Sequence, residues 1–266
     1  MKKIYSKAVS FINENGSNIQ KSLYKYVLGQ EKKENIVRKL QEFQNEDGGW
    51  ANGLEIEYQG KISSIMTTAT ALGYIYLFGL EDSKLTNNTL KYLNNTQNES
   101  GYWDDDDEIR QADIPPYYLP GRFIEYKTGM ILKWVRRLEL DNKMIDNGYR
   151  FMINYRDEIE NPDMWTAIGY INAFVEYKGD SSQEIVNWAV NILNQNEAFN
   201  EELNWQKIQG MIYDDDEMIF KLKGQILRSI KDNQLENGAW PHQFGVYNQV
   251  WAAILIIRYL KLIDEV

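Results

Sequence analysis

The chain has 266 residues, with 29 Lys and Arg against 39 Asp and Glu, and its formal net charge is −10 at pH 7. This acidic balance argues against nucleic acid or an anionic membrane as the main partner, because both attract a surplus of Lys and Arg. The absence of Cys excludes disulfides, thiolate metal sites and a Cys nucleophile. A chain of this length can form one large domain with a sizeable core.

The N-terminal region gives no sign of export or membrane insertion. Residues 1–16 are basic but contain no apolar stretch before Asn13 and Glu14, so they do not resemble a secretion signal. No window approaches the roughly 18 to 20 apolar residues that a membrane span requires. We therefore expect a cytoplasmic protein without a membrane span, and the sequence leaves its oligomeric state open.

Apolar residues recur at helical spacing through residues 4–43. Residues 4–28 are predicted to form two helices that break at Asn15-Gly16, and residues 34–43 are predicted to form an amphipathic helix. Residues 63–79 differ, because they contain no charged residue and their apolar side chains cover nearly every face. A helix that is apolar all round is buried all round, so we predict an inner helix there.

The same alternation of helix types continues along the chain. Amphipathic helices are predicted at residues 83–96, 142–155, 182–193 and 218–230, and more apolar helices at residues 123–138, 163–177 and 247–262. The acidic run Asp214 to Glu217 is interpreted as the start of the helix at 218–230, because acids in a first turn complement the helix dipole. No strand-like alternation occurs, so the sequence predicts an all-α protein.

One seven-residue pattern occurs three times at the ends of amphipathic helices, as QNEDGGW from Gln44, QNESGYW from Gln97 and QLENGAW from Gln234. Each copy has Gln first, Gly fifth and Trp seventh, which indicates an internal repeat. The interval from the second copy to the third accommodates three units of roughly 46 residues, a period typical of two-helix repeats. Gln can bond free backbone groups at a neighbouring helix end and Trp can pack on the next repeat, so we interpret both as structural.

The alternation of helix types also predicts how the hairpins are arranged. Hairpins that pair an apolar helix with an amphipathic one bury both faces most simply in two concentric rings, with the apolar helices inside. A closed ring has no exposed ends, whereas an open solenoid requires polar capping repeats. The last predicted helix, at residues 247–262, is among the most apolar, which favours closure. We predict a single α/α-toroid domain over residues 1–266, with five to six helical hairpins.

The Gln–Gly–Trp pattern at the end of an outer helix resembles the QW repeat of squalene–hopene cyclases and of the related protein prenyltransferases. The likeness continues in Ile62-Ser63-Ser64 and Thr67-Thr68-Ala69, which are similar to the start of an inner helix in those enzymes. Residues 24–55 are also similar to uncharacterised small bacterial proteins of this repeat class. The resemblance covers most of the chain and implies an α/α toroid.

The acidic run Asp104 to Glu108 directly follows the second motif. An acid held against apolar walls keeps its proton above the usual pKa of Asp, and it could protonate an olefin whose cation the aromatic faces stabilise. The cyclases that the chain resembles use Asp-x-Asp-Asp for this step, and Asp104, Asp106 and Asp107 have that spacing. Glu108-Ile109-Arg110 follows here instead of the Thr-Ala of an inner helix, and a solvated acidic loop is the alternative.

The first functional hypothesis is therefore a terpenoid cyclase-like lyase or isomerase, or a relic of one, with an isoprenoid or other hydrophobic ligand in a central aromatic cavity. The aromatic side chains predicted to line that cavity are Tyr74, Tyr76, Trp134, Trp165 and Trp251. The one histidine, His242, is a further candidate, either as a base or as a hydrogen-bonded loop residue. No cofactor is implied. Zinc-dependent prenyl transfer is rejected, because its Asp, Cys and His ligands cannot be assembled without Cys.

Two other functions stay open. In the first, the toroid is a carbohydrate-active enzyme that uses paired carboxylates, and Glu55 and one of Asp104 to Asp107 form the pair. In the second, the protein is a non-catalytic module that binds a lipid or a peptide. The position of Glu55 and of the acidic run relative to the aromatic side chains distinguishes these alternatives.

Overall fold

The computed structural model describes residues 1–55, 57–81, 83–140, 142–195, 223–242 and 245–265. Within these ranges the chain is all-α, with eleven α-helices, three short 3-10 helices and no strand. The acidic run Asp214 to Glu217 and the first part of the helix predicted at residues 218–230 lie outside the described residues. None of the helices in the described ranges is long and apolar enough to cross a membrane.

The helices follow the predicted hydrophobic pattern. They are α1 (Lys2–Asn15), α2 (Asn18–Val27), α3 (Lys33–Gln41), α4 (Ile65–Leu77), α5 (Lys84–Thr96), α6 (Ile124–Arg137), α7 (Asn142–Tyr155), α8 (Met164–Phe174), α9 (Ser182–Asn194), α10 (Lys223–Asp232) and α11 (Gly245–Leu262). The break predicted at Asn15-Gly16 is present, and α2 begins there because Ser17 and Gln20 form a reciprocal capping box. Helix α8 ends before the predicted residue 177, since the chain turns and Tyr177 N donates to Phe174 O over 3.1 Å.

Residues 40–199 form one compact unit. Its apolar helices α4, α6 and α8 pack side by side with α6 in the middle, and α5, α7 and α9 each pack against the apolar helix before them. Helices α6 and α8 meet backbone to backbone, because a Cβ on Gly129 would lie 2.1 Å from the carbonyl oxygen of Gly169. This unit carries the first two motifs and the acidic run 104–108.

Residues 1–39 and 200–266 form the other compact unit. Helix α11 packs there against α1 and α2, and its residues from Val250 to Ile257 are all buried. The third motif belongs to the same unit as the N-terminal helices.

The Gln side chains of the three motifs make the same pair of hydrogen bonds. Each amide donates to the carbonyl oxygen of the Gly four residues later, over 3.0 Å from Gln44, 2.9 Å from Gln97 and 3.1 Å from Gln234. The same amide nitrogen also donates to a carbonyl in the first turn of another helix. These second acceptors are Leu85 O in α5, Met144 O in α7 and Ile4 O in α1. Each motif therefore ties the end of one helix to the beginning of another.

The Gly and Trp positions of the motif explain why the pattern recurs. Gly48, Gly101 and Gly238 have φ angles of +92°, +103° and +93°, which favour glycine. A Cβ at any of them would lie only 2.1 to 2.3 Å from a helix carbonyl oxygen. The three indoles are fully buried, and their N–H groups donate within their own units, from Trp50 to Thr89 Oγ1, from Trp103 to Leu93 O and from Trp240 to Ile230 O. The motif thus has the structural role that the sequence predicts.

Candidate functional site

Glu55 lies in a tight loop between the first motif and α4. Positive φ angles at Asn52 (59°) and Gly53 (77°) reverse the chain, and Asn52 N donates to Gly60 O over 2.9 Å to close the loop. The Glu55 side chain is partly exposed, so a ligand can reach it.

Two hydroxyl groups from different elements hold the Glu55 carboxylate. Thr70 of α4 donates to Oε1, and Tyr118, from the loop before α6, donates to Oε2. Burial raises the pKa of Glu55 to about 7; the hydrogen bonds from Thr70 and Tyr118 oppose this rise, and the charges of Glu57 and Asp105 add to it. A carboxyl that is half protonated near neutral pH can both give and take a proton, as a general acid or base must.

Tyr118, which donates to Glu55, belongs to a cluster of apolar and aromatic side chains. Tyr118 is fully buried, and its ring stacks on Tyr58 with the centroids 5.3 Å apart. Tyr126 packs against the same cluster and is itself partly exposed. Burial raises the pKa of all three tyrosines, so their hydroxyls stay protonated at neutral pH. Burial also raises the pKa of Glu57, which is two residues from Glu55 and partly exposed.

Asp104 and Asp105 interact with Lys127, a lysine of α6 whose side chain is fully buried. Lys127 Nζ lies 2.5 Å from Asp104 Oδ1 and 3.1 Å from Asp105 Oδ2, and it donates to Leu119 O over 3.1 Å. Asp105 Oδ1 also accepts from Ile65 N, at the start of α4, over 2.7 Å. Burial raises the pKa of Asp105, while Lys127 and the amide of Ile65 act in the opposite direction. These contacts fasten the loop at 104–121 to α4 and α6.

Asp106 and Asp107 are exposed. Asp106 accepts from Glu108 N over 2.9 Å and caps a 3-10 helix at Asp107–Gln111, and Asp107 pairs with Arg110 at 2.8 Å. The structure thus places the three acids with Asp-x-Asp-Asp spacing in two environments: Asp104 is partly exposed and pairs with the buried Lys127, and the other two lie on an exposed turn. The role of these three acids in catalysis stays a prediction. Asp105, which this spacing skips, is the member of the run whose charge raises the pKa of Glu55.

The predicted cavity residues Tyr74, Tyr76 and Trp134 belong to α4 and α6. Tyr74 and Trp134 are buried, and the rings of Tyr76 and Trp134 have centroids 5.7 Å apart. The guanidinium of Arg137 lies 5.6 Å from both of these ring centroids, and it also pairs with Glu176, its Nε lying 3.1 Å from Oε1. A cation of the protein itself therefore already contacts these two aromatic side chains.

The other predicted binding residues lie in two places. Trp165 is partly exposed and meets Tyr126 edge-on at 5.0 Å, so it borders the tyrosine cluster beside Glu55. Trp251 and His242 belong to the other compact unit. Trp251 is buried there, and burial lowers the pKa of His242, which is partly exposed.

The sequence did not point to Thr70, Tyr118 or Lys127, and it indicated Asp105 only as one of the four acids from Asp104 to Asp107. The pairing of Lys127 with an acid could have been predicted, because a lysine in a helix that is expected to be buried needs an acidic partner. Nothing in the sequence predicts the contact of Tyr118 with Glu55, since the two residues are 63 positions apart and Tyr118 belongs to an irregular loop.

The described residues contain no group of three or more His, Asp or Glu side chains placed to hold a metal ion. Comparison with family models, with curated proteins and with solved structures gave no match. The repeat contacts and the surroundings of Glu55 are the features of the chain that bear on its class.

Proposed function

We propose that the protein is an α/α toroid of the cyclase and prenyltransferase type, in which five to six hairpins close head to tail as one domain over residues 1–266. Each Gln of the motif bonds the first turn of another helix, and the third motif bonds the first turn of α1. The side-by-side packing of α4, α6 and α8, with an amphipathic helix packed against each, also supports this proposal.

Within this class, we infer that Glu55 is the proton donor and acceptor of an enzyme. The observation that carries this inference is a partly exposed carboxyl held between Thr70 and Tyr118 at the edge of a buried tyrosine cluster. An acid in such surroundings retains its proton near neutral pH while it remains within reach of a ligand. Asp104 and Asp105 then hold the loop that carries Tyr118, because both interact with Lys127.

The substrate that fits best is an isoprenoid or similar hydrophobic molecule that carries an oxygen atom. Tyr126 and Trp165 are partly exposed and supply aromatic surface next to the tyrosine cluster. Aromatic faces attract a developing positive charge. A carboxyl with a pKa of about 7 is a weak acid, so it protonates an oxygen more readily than an isolated carbon–carbon double bond.

A carbohydrate-active enzyme is the second candidate, and the raised pKa of Glu55 favours it as well. Glycoside hydrolysis uses one carboxyl with a raised pKa as the acid and a second carboxylate close to it. Asp105 interacts with Lys127 and with the amide of Ile65, so Glu57 is the better second carboxylate in this reading.

The test is product analysis by mass spectrometry after incubation with farnesol, its epoxide and a set of nitrophenyl glycosides. The proposal expects conversion of an isoprenoid that is lost in Glu55→Gln and kept in Asp106→Asn, whose side chain is exposed. Conversion of glycosides alone would favour the second candidate. Retention of an isoprenoid without turnover would favour a binding module, and equal turnover in Glu55→Gln would remove Glu55 from the mechanism.

A further inference from the structure

A second concave site lies at the C-terminal end of α6, whereas Tyr126 and Lys127, which belong to the surroundings of Glu55, lie in the first turn of that helix. It is an open groove of about 670 Å³ between the α6–α7 connection and the end of α8. The side chains that define it are Arg136, Leu140, Ile145, Tyr149, Tyr177 and Lys178. All of them belong to the compact unit formed by residues 40–199.

Arg136 is the most informative residue of this groove. Its guanidinium hydrogen-bonds the Tyr149 hydroxyl, which in turn donates to Ala173 O over 2.8 Å, so the guanidinium is fixed in orientation. Its Nη1 atom is buried and has no hydrogen-bond partner. A buried charged donor without an acceptor is unfavourable, and the guanidinium that carries it belongs to a partly exposed side chain that lines the groove.

The charges around the groove leave Arg136 available. The neighbouring Arg137 is paired with Glu176, and its guanidinium lies over Tyr76 and Trp134. Lys178 is exposed at the rim and adds a second positive charge. Glu139 also lines the rim, but its side chain is exposed, so solvent and salt screen its repulsion of an anion.

Two tyrosines and two aliphatic side chains form the apolar part of the groove lining. The rings of Tyr149 and Tyr177 are stacked, with centroids 4.1 Å apart and an interplanar angle of 25°. Leu140 and Ile145 line the same groove from the α6–α7 connection and from α7. A ligand that fits this lining has a planar or aliphatic body beside its charged end.

We propose that this groove binds a small organic oxyanion, a carboxylate or a phosphate ester, through Arg136 and Lys178. The anionic group accepts from the guanidinium of Arg136, because the planar fork of arginine matches both carboxylate and phosphate oxygens. The body of the ligand lies against Tyr177 and Ile145. This binding is independent of the chemistry proposed at Glu55.

The experiment titrates the full-length protein with benzoate, phenyl phosphate and uncharged benzamide, and follows amide chemical shifts by NMR. We expect at least one of the two anions to bind about tenfold more tightly than benzamide, and this preference to decrease with salt. The anion that binds more tightly indicates whether the natural ligand carries a carboxylate or a phosphate. Equal binding of the anions and of benzamide, or no shift at the groove residues with either anion, would overturn the proposal.

Three variants assign the binding to the groove. Arg136→Gln should lower the affinity for the anion at least about fivefold, and Lys178→Gln should lower it about twofold. Arg110→Gln, which replaces an exposed arginine that pairs with Asp107, should leave the affinity unchanged. If Arg136→Gln does not fold, the decision rests on Lys178→Gln, which alters an exposed side chain. Unchanged affinity in Lys178→Gln and in any folded Arg136→Gln would contradict the proposed site.

Discussion

The side-chain amide of Gln234 donates a hydrogen bond of 2.9 Å to the carbonyl oxygen of Ile4, 230 residues away along the chain. Gln44 makes the same contact with Leu85, and Gln97 makes it with Met144. The third motif therefore bonds the first turn of α1 as the first two motifs bond the first turns of α5 and α7. Ile4 and Gln234 both belong to the unit formed by residues 1–39 and 200–266, and their contact is one of the observations behind the proposed toroid.

Replacing Gln234 tests how much this contact stabilises the fold. Gln234→Leu should lower the free energy of unfolding by about 1–3 kcal/mol, because the carbonyls of Ile4 and Gly238 both lose a donor. Urea denaturation measures the change. Gln111→Leu is the control, since Gln111 is exposed and its replacement should change stability by less than about 0.5 kcal/mol. Equal effects of the two substitutions would contradict the role of the motif.

The motif glycines are tested by a matched pair of alanine substitutions. Gly101→Ala should destabilise by more than about 3 kcal/mol, because the φ of +103° strains an alanine and its Cβ would lie 2.3 Å from Asn147 O. Gly121→Ala should cost only about 1–2 kcal/mol, because the φ of +76° is strained but no atom lies within 4 Å. Thermal and urea unfolding distinguish the two. A similar loss of stability in both variants would mean that the short distance to Asn147 O does not add to the cost at Gly101.

Lys127 and Asp105 should be energetically coupled. Lys127→Met should lower stability by about 3–5 kcal/mol, because Asp105 is then buried without its cation. Adding Asp105→Asn should recover part of that loss, because the unpaired charge is removed. A double-mutant cycle on unfolding free energies measures the coupling, and strictly additive losses would show that the two groups do not interact.

Glu55 should impose a pH dependence on stability. Its pKa is about 7 in the folded protein against an ordinary 4.5, so the folded state binds more protons than the unfolded chain between these values. The free energy of unfolding should therefore decrease as the pH rises from about 4.5 to about 7, by on the order of 2 kcal/mol from this group. Glu55→Gln should remove this component of the wild-type profile, whereas Asp106→Asn should retain it. If the free energy of unfolding varied with pH in the same way in the wild type and in Glu55→Gln, Glu55 would not contribute to the pH dependence.

The helices were predictable because each one is defined by its own periodicity, and α4 shows this most clearly. Its residues 65–77 contain no charge, and all except Thr70 and Tyr76 are buried. The repeated Gly and Trp were also informative, since a positive φ and a buried indole leave a local signature. The prediction of an all-α protein is confirmed, while the toroid remains a proposal.

The candidate site could be predicted only in part. Glu55 was selected from its position after the motif, but which members of the acidic run turn inward depends on Lys127 and on the path of an irregular loop. Neighbouring acids look alike in a sequence, yet Asp105 is buried and Asp106 is exposed. The meeting of Glu55 with Tyr118 is a long-range contact, and no local pattern encodes it.

The most direct test of the catalytic account is the titration of Glu55 itself, by NMR of protein labelled with carbon-13 at the glutamate carboxyls. The resonance is assigned by its absence in Glu55→Gln. The account predicts a pKa of about 7 in the wild type, and a further rise in Tyr118→Phe, because Tyr118 donates to the ionised carboxylate. A wild-type Glu55 that titrates at its ordinary pKa of 4.5 would contradict the account.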